Sequence, residues 1–446
     1  MRSKWIPLLI GGAVLYLLFL GWAMGNLSYD TWGAFIVLPM MVGVTRLVLR
    51  RIFTKRMRYM YPMALAGLGA KVVGSLVRYW VTFDAYGGQA DARLYHDIAK
   101  VIAGDIRDGR VSLLSAIPHS TGTQFLEQLA GLVYAIFGSS RLAGFLLFGW
   151  MGYWGAVLFL RAALLAIPRL KTRRYASLVF FAPSLMYWPS SLGKEAWMML
   201  CLGLASYGAA RLLTGWGGGW SVPFTVLGIV GAGFPRPHFA LIWAGALVCA
   251  LLVLVVIGTG TDSSRLTAAV LFGISVVGLV ILIGITLKFL DPRGNQAGDV
   301  GLSDRVASIL EQTAQNSQQG GSAITPVSLN GPLDWPYAIG RTLTRPLLLE
   351  VRSFGELLPA LEMTALMGLA LVSWRRILNL GHVLRHNPYV VLSVLVVLTF
   401  GVSFANISNL GILSRQRSLV LPMLFVPLCL PHRRSSEQRL DGAIHR

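Results

Sequence analysis

Long apolar segments separated by short basic loops make up most of this 446-residue chain. A membrane-crossing helix needs about 20 mostly apolar residues, and every backbone polar group within it must be hydrogen-bonded internally. We therefore predict an all-α fold, a polytopic transmembrane bundle that forms one membrane domain over residues 1–446. The pattern predicts about twelve spans, near residues 5–24, 31–49, 59–83, 141–166, 175–192, 195–213, 221–235, 238–258, 266–290, 357–373, 389–405 and 413–431.

The basic loops predict the direction of these spans, because Lys and Arg accumulate on the cytoplasmic side of a membrane. Four basic clusters occur, at residues 46–58, 169–174, 375–385 and 433–439. They fall on one side only if residues 123–137 do not cross, so we interpret that stretch as an interfacial or re-entrant helix. Both termini are then predicted to be cytoplasmic.

Two segments on the predicted outer side stand out by their length. Residues 84–140 form an acidic loop with interfacial helices, and residues 291–356 form a polar loop rich in Gly, Gln, Ser and Asn. Long loops in compact proteins are usually functional or disordered. We expect part of 292–332 to be mobile and 341–356 to be an amphipathic juxtamembrane helix.

The composition supports the membrane class and argues against other classes. Hydrophobic residues make up 55% of the chain, charged residues only 13%, and the formal net charge is +20. Much of that excess lies in short loops beside spans, and no nucleic-acid-binding module accompanies it, so we predict membrane lipid rather than nucleic acid as a partner. The three cysteines lie in apolar segments, so neither a disulfide framework nor a metal site is indicated.

An acidic stretch on the outer side carries the first candidate chemistry. The residues after Asp91 predict an amphipathic helix on the membrane, with Leu94 and Val101 in its apolar stripe and Tyr95 on the same face as Asp91. A carboxylate there can accept a proton from a hydroxyl group or hold a divalent cation, the one cofactor that the sequence suggests. Asp84 is a second candidate acid. The alternative is that Asp91 is a helix N-cap.

The second motif is the run from Pro183 to Trp197, in which two prolines and a glycine predict a broken helix. Serines and the start of a new helix offer hydrogen-bond donors to an anion, and Lys194 with Glu195 adds an ionisable pair at the edge of the bundle. The alternative is that the pair caps a helical hairpin and extends toward the membrane surface.

Two further motifs place cations at predicted outer ends of spans. Arg236 and His238 lie in a Pro-Arg-Pro-His turn, where an arginine suits a phosphate through two hydrogen bonds; the alternative is a rigid polar turn. Arg415 and Arg417 enter the last span from its outer end, against the positive-inside tendency. They either bind a lipid phosphate or pair with Glu195 or another outer acid.

The motifs together resemble known membrane enzymes. The Asp-Ala-x-x-Tyr start of an outer helix, the many spans and the arginine-rich entry to the last span resemble the C-type glycosyltransferase superfamily. The Pro183–Glu195 and Gly411–Arg417 runs resemble uncharacterised membrane proteins of bacterial, especially actinobacterial, polysaccharide clusters. The resemblance implies polyprenyl-phosphate sugars as donors, an outer-loop acid as general base or metal ligand, and a bacterial cytoplasmic (inner) membrane location. The acidic loop follows the first span in that superfamily and the third predicted span here.

These observations lead to one preferred hypothesis and three alternatives. The preferred hypothesis is glycosyl transfer from a polyprenyl-phosphate-linked sugar to an envelope or extracellular glycan. The alternatives are an O-antigen-type polymerase or ligase, a transporter or flippase of lipid-linked glycans, and a non-catalytic scaffold. The predicted site comprises Asp91 and Asp84 as catalytic acids, with Lys194, Glu195, Arg236, His238, Arg415, Arg417 and Tyr95 as substrate-binding residues.

Overall fold

The computed structural model describes residues 6–215, 218–257, 262–290, 331–351 and 354–431. The described residues are predominantly helical and contain no β-strand, which confirms the all-α prediction. Most of the predicted mobile stretch, residues 292–332, lies outside them. Contacts group the chain into two compact units: unit 1 (residues 1–151 and 189–196) and unit 2 (residues 152–188 and 197–446). The single membrane domain stays a prediction.

Unit 1 consists of the N-terminal helices and the turn that precedes α9. Its helices are α1 (Ile6–Asn26), α2 (Tyr29–Ile52), α3 (Tyr61–Trp80), α4 (Asp91–Arg107), α5 (Gly122–Phe137) and the first part of α6 (Arg141–Ala166). A 3₁₀ segment, Lys55–Met60, precedes α3, and a π-helical turn, Val81–Ala85, extends it.

Unit 2 contains the rest of α6 and the helices that follow. They are α7 (Thr172–Phe181), α8 (Pro183–Tyr187), most of α9 (Lys194–Leu213), α10 (Ser221–Gly233), α11 (Pro237–Ile257), α12 (Asp262–Leu290), α13 (Trp335–Thr344), α14 (Phe354–Val372), α15 (Trp374–Leu378), α16 (Leu380–Leu384), α17 (Pro388–Ser403), α18 (Leu410–Arg417) and α19 (Leu421–Leu428).

Six described helices are long and apolar enough to cross a membrane, which indicates a membrane protein. They are Tyr29–Ile52, Met57–Ala85, Arg141–Ala166, Lys194–Leu213, Pro237–Val256 and Leu266–Leu287. A seventh span is formed if Glu356–Val372 and Trp374–Leu384, which bend by 66°, count as one. A twelve-span bundle is therefore not confirmed, because the other predicted spans are shorter helices or are interrupted.

The interruptions have local causes in the sequence. The predicted span 175–192 breaks at Ala182, whose extended backbone (ψ 128°) precedes Pro183, because proline disfavours helical geometry in the residue before it. The predicted last span is divided into α18 and α19 on either side of residues 418–420. The predicted helix at 341–356 is also wrong: α13 ends at Thr344, and Arg345 is extended before Pro346.

In unit 1, α4 and α5 pack closely through small residues. Ala99 of α4 and Ala130 of α5 are fully buried, and a Cβ on Gly131 would collide with Ile102. Helix α2 joins the start of α6 through Asp30, whose carboxylate accepts the backbone N–H of Arg141 (3.0 Å) and pairs with its guanidinium (3.0 Å). These contacts fix α4, α5 and α6 around the turn that follows α3.

In unit 2, aromatic rings and side chain–backbone hydrogen bonds hold the helices together. Phe239 of α11 packs against Phe400 and Phe404 of α17. The start of α17 is capped by Asn387, whose side-chain oxygen accepts the N–H groups of Tyr389 and Val390. This packing places the Arg236–His238 turn beside the C-terminal end of α17.

One end of unit 2 gathers two of the basic clusters. Arg174 donates to Ser373 Oγ (2.9 Å) and to the Leu428 carbonyl (3.1 Å), and Arg376 donates to the Leu430 carbonyl (2.6 Å). Asn387 Nδ2 donates to the Ala166 carbonyl (2.8 Å). The predicted loops after α6 and after α14 therefore lie at the same end of unit 2 as residues 428–430, as the topology prediction requires.

Candidate functional site

The two predicted catalytic acids flank the turn between α3 and α4 in unit 1. Asp84 lies in the π-helical turn, a geometry often found at functional sites, and Asp91 is the first residue of α4. Gly87 and Gly88 adopt positive φ angles (56° and 77°) between them, which side chains rarely allow. Both residues are exposed.

The structure rejects the capping alternative for Asp91. The N-cap position of α4 is Ala90, which has no side chain able to cap the helix, and Asp91 follows it. A carboxylate in the first turn still interacts favourably with the helix dipole, by about 0.3–1 kcal/mol. Asp91 is therefore the first helical residue of α4 and is not at its N-cap position.

One face of α4 packs into the core of unit 1, and another face is exposed. Tyr95 is only 4% exposed and belongs to the core of unit 1, which gives this predicted substrate-binding residue a packing role. Leu94 and Val101, the predicted apolar stripe, stay 54% and 64% exposed. An amphipathic helix with an uncovered apolar stripe is typical of a helix lying on a membrane.

A buried pair that the sequence did not indicate joins α4 to α5. His96 is buried, and its Nδ1 lies 2.9 Å from Tyr134 Oη. Burial lowers the pKa of His96 below its usual value, because the charged imidazolium would lose its hydration; the charge of Asp30 opposes this shift. The pair therefore favours a neutral histidine in the folded hairpin.

The Ser-Ser-x-Gly-Lys-Glu turn places hydroxyl groups beside a cation in unit 1. Ser190, Ser191 and Glu195 are buried, whereas Lys194 begins α9 and donates to Thr123 Oγ1 (3.0 Å) at the start of α5. The contact between Lys194 and Thr123 brings the turn and the α4–α5 hairpin together.

Arg78 of α3 is a site residue that the sequence analysis missed. Its Nη2 donates to Ser191 Oγ (3.5 Å), so it reaches the turn that carries Lys194. The available signal was a cation inside an apolar helix, because ionisable residues in membrane helices are usually functional or paired. Unit 1 thus contains two exposed acids as well as a group of cations and hydroxyls around the turn before α9.

The remaining predicted cations lie in unit 2. Arg236 is buried just before α11, and the half-buried His238 ring packs against Phe404 with ring centroids 5.5 Å apart. Arg415 is partly buried in α18. The predicted anion cavity shared by these residues and the acids of unit 1 stays a prediction.

Arg417 is fully buried among hydrogen-bond acceptors. Its Nη1 donates to the carbonyls of Thr342 (3.3 Å), Leu343 (3.5 Å) and Arg345 at the end of α13. Its charge also acts on Glu362 of α14. Backbone carbonyls therefore hold one end of this guanidinium, while the predicted pairing with Glu195 or another outer acid stays a prediction.

Glu362 and Ser184 complete this polar cluster, and the sequence analysis singled out neither side chain. Glu362 is 5% exposed and accepts hydrogen bonds from the backbone N–H of Ser184 (3.1 Å) and from its hydroxyl group. Ser184 follows the break at Ala182, and Arg417 precedes the interruption at 418–420. The cluster thus connects two interrupted helices.

The described part of the polar segment 291–356 contains an ion pair rather than the predicted helix. Arg345 Nε donates to Glu350 Oε1 (2.6 Å), and Glu350 Oε2 accepts the backbone N–H of Leu347 (2.9 Å). The hydrogen bond from Arg345 lowers the pKa of Glu350 below its usual value. The pair closes the turn between α13 and α14.

The donor sets of the described residues do not form a metal centre. Within those residues, no three His, Cys, Asp or Glu side chains lie close enough together to hold a metal ion. Comparison with known proteins gives no match: no family model, no curated protein and no solved structure is similar to the chain. The functional argument therefore depends on the residues themselves.

Proposed function

We propose that the chain is a membrane enzyme that transfers a sugar from a polyprenyl phosphate to a glycan acceptor. The observation that carries the proposal is that unit 1 contains both exposed acids, Asp84 and Asp91, on the turn after α3, and that Arg78 of the same α3 contacts Ser191 in the turn that carries Lys194. One group of residues can then serve the acceptor and another the phosphate. The resemblance to C-type glycosyltransferases supports the same reaction.

The chemistry assigns a role to each group. The acceptor hydroxyl attacks the anomeric carbon of the sugar, and its proton passes to the carboxylate of Asp91 or Asp84. The bond between the anomeric carbon and the phosphate oxygen breaks, and its electron pair stays on the polyprenyl phosphate. Arg78 and Lys194 stabilise the negative charge that grows on that phosphate, and the serine hydroxyls of the turn add hydrogen bonds.

The proposed setting is a bacterial cytoplasmic membrane with both termini in the cytoplasm. In that topology the turn after α3 and the turn before α9 face outward, where an envelope glycan is assembled. The exposed apolar stripe of α4 supports this placement, because it would lie in the membrane interface beside the acids. An O-antigen-type polymerase or ligase would use the same face and the same lipid chemistry.

A second candidate function is transport of lipid-linked glycans without chemistry. The observation that favours it is the Ser184–Glu362–Arg417 cluster, because interrupted helices with ionisable residues are typical of transporter sites. A transporter would move the lipid without releasing polyprenyl phosphate. Release of polyprenyl phosphate therefore distinguishes the two functions.

The full chain in phospholipid nanodiscs provides the test. It would be incubated with undecaprenyl-phosphate-linked mannose, glucose or galactose and a panel of oligosaccharide acceptors, and released undecaprenyl phosphate would be measured. We expect release with at least one donor. In the variant that lacks the general base, Asp91→Asn or Asp84→Asn, the rate should fall by roughly 10²-fold or more.

The matched control is Asp105→Asn on the same helix. Asp105 pairs with Arg110 (3.2 Å) away from the turn, so its loss should change the rate less than about twofold. Unchanged release by both Asp84→Asn and Asp91→Asn would contradict the proposed acid chemistry. Movement of the lipid-linked sugar across the bilayer without release would support transport instead.

A further inference from the structure

Two arginines of unit 2 converge on one tyrosine hydroxyl. Tyr207 Oη, in α9, accepts a hydrogen bond from Nη1 of Arg211 (3.5 Å) and another from the guanidinium of Arg161 in α6. Arg211 Nε also donates to Ser221 Oγ (3.3 Å) at the start of α10. Ser221 is buried and the other three residues are half-buried. Three helices thus hold two cations around one oxygen atom.

Glycines let these three helices approach one another closely. A Cβ on Gly155 of α6 would collide with the Met199 carbonyl of α9, and a Cβ on Gly208 of α9 would collide with the backbone of Thr225 in α10. Close-packed helices resist rearrangement. The two arginines are therefore held on a fixed framework of helices.

The charge around the Tyr207 hydroxyl is positive. Both charged groups that act on it are arginines. Among the described residues, Arg211 forms no ion pair with an acid; its hydrogen bonds go to the neutral side chains of Ser221 and Tyr207. Two guanidiniums that share one oxygen repel each other, and an anion beside them would lower the energy of the arrangement.

The two arginines lie at the end of unit 2 that the predicted topology makes cytoplasmic. Arg161 is near Ala166, the last residue of α6, whose carbonyl accepts a hydrogen bond from Asn387 beside a basic cluster. Arg211 follows Lys194 by 17 residues on the same helix, about 25 Å along its axis. The arginine pair is therefore far from the candidate site, toward the opposite surface of the membrane.

Aromatic rings beside the arginines mark the level of the lipid headgroups. Trp220 is 67% exposed and stacks on Phe224 (ring centroids 5.8 Å apart), which lies next to Tyr207 (6.2 Å). Trp and Tyr accumulate at membrane–water interfaces. The alternative is that the arginines only extend past this level toward water. Their hydrogen bonds to Tyr207 instead hold them between the helices.

We propose that Arg161 and Arg211, positioned by Tyr207, bind the headgroup of an anionic glycerophospholipid from the cytoplasmic leaflet. Basic sites between transmembrane helices on this side bind such headgroups, and an arginine matches a phosphate through two N–H donors. The exposed Val222 and Val226 of α10 offer an apolar surface to the acyl chains. The lipid is a bound partner that stays intact, so the proposal goes beyond the proposed function and holds for an enzyme or a transporter.

Direct binding to the full chain in neutral detergent tests the site. Phosphatidylglycerol would be titrated in and its Kd measured by native mass spectrometry. We expect Arg161→Gln and Arg211→Gln each to weaken binding by about fivefold. Arg385→Gln, which removes an exposed cation at the same end of unit 2, is the control and should leave the Kd within about twofold of wild type. An equal loss in Arg385→Gln would indicate general surface attraction and overturn the site.

A variant that keeps both arginines tests the need for an anion. A Cβ on Gly218 would lie 2.9 Å from Arg211 Nη2, so Gly218→Asp places a carboxylate beside this guanidinium. That carboxylate competes with the headgroup and should weaken phosphatidylglycerol binding by about fivefold. Gly218→Asn, of the same size and without the charge, is the matched control. Equal Kd values in these two variants would overturn the site, and they decide the question if the arginine variants fail to fold.

The choice of ligands identifies what the arginines recognise. Phosphatidylcholine with the same acyl chains has a phosphate but no net charge, and equal affinity for it would overturn the anionic headgroup. Displacement of phosphatidylglycerol by millimolar inorganic phosphate would assign the site to a free anion and overturn the lipid. None of these measurements requires release of undecaprenyl phosphate, so the phospholipid site and glycosyl transfer can fail independently.

Discussion

Arg78 in unit 1 and Arg417 in unit 2 are both arginines on helices, but their surroundings differ. Arg78 lies within α3, part of a segment that is apolar enough to cross a membrane, and its Nη2 donates to the hydroxyl group of Ser191. Arg417 is the last residue of the short helix α18 and lies among backbone carbonyls and near Glu362. The first environment brings a hydroxyl group to the cation, whereas the second brings carbonyl acceptors and a carboxylate.

The comparison shows that a buried or half-buried arginine does not indicate its role by itself. Burying a charge is tolerated when protein groups or a ligand compensate it. For Arg417 the carbonyls at the end of α13 contribute that compensation, and the cation in turn fixes the end of α13. For Arg78 the proposed function adds the phosphate of the donor lipid.

The largest expected loss of stability follows from replacing Arg417. Arg417→Met would leave three carbonyls and the charge of Glu362 buried without their cation, and breaking such a buried set typically costs about 3–5 kcal/mol. We expect a strong fall in folded yield and in the Tm of the detergent-purified protein. Arg375→Gln, an exposed arginine, is the control; a Tm of Arg417→Met equal to that of Arg375→Gln would contradict the comparison.

A smaller loss of stability is expected when Ser184, the hydrogen-bond partner of Glu362, is changed. Ser184→Ala removes the hydroxyl hydrogen bond to the buried carboxylate but keeps the backbone N–H bond, and a lost hydrogen bond to a charged group costs about 1.5–3 kcal/mol. Glu362→Gln should recover part of this loss in the double variant, because a neutral amide needs the hydroxyl less. Additive Tm changes in the double-mutant cycle would show that the two side chains do not act together.

The smallest expected effect is a pH dependence confined to unit 1. The pKa of His96 is lowered on folding, so the unfolded chain binds a proton that the folded hairpin excludes. Stability from this residue is complete above about pH 6.5 and is lost as the pH falls toward the folded pKa, by up to about 1.4 kcal/mol per pH unit. Intrinsic amide exchange slows as the pH falls, so the quantity to compare is the protection factor, and the protection factors of α4 and α5 should fall below pH 6.5.

His96→Gln provides the comparison for that measurement. Glutamine cannot titrate, so the acid-dependent fall in protection should disappear from α4 and α5. If that fall persists in His96→Gln, another group controls the hairpin and the explanation through His96 is wrong.

The sequence predicted where the helices lie better than how many of them cross a membrane. Apolar periodicity locates helices such as Arg141–Ala166, because it depends on local residues alone. Whether a helix stays continuous depends on residues such as Pro183 and on neighbouring elements. The short helices α8, α18 and α19 therefore escaped prediction as separate elements.

In the candidate site, the sequence likewise predicted the positions that depend on local patterns and missed the contacts between distant residues. Asp91 at the start of α4 follows from the amphipathic pattern after it. The contact between Arg78 and Ser191 joins residues 113 positions apart, and the burial of Glu362 against Ser184 joins residues 178 positions apart. Such pairs depend on how helices pack, which no local pattern in one sequence encodes.

The contact between Asp30 and Arg141 has a consequence for the time course of synthesis. Ser140 and Arg141 bind Asp30 across 110 and 111 positions of the chain. At about 5–20 residues per second, α2 would leave the ribosome roughly 5–20 s before its partner exists. During that interval the carboxylate at the start of α2 has neither of these two partners, and α3 to α5 must emerge before unit 1 can close.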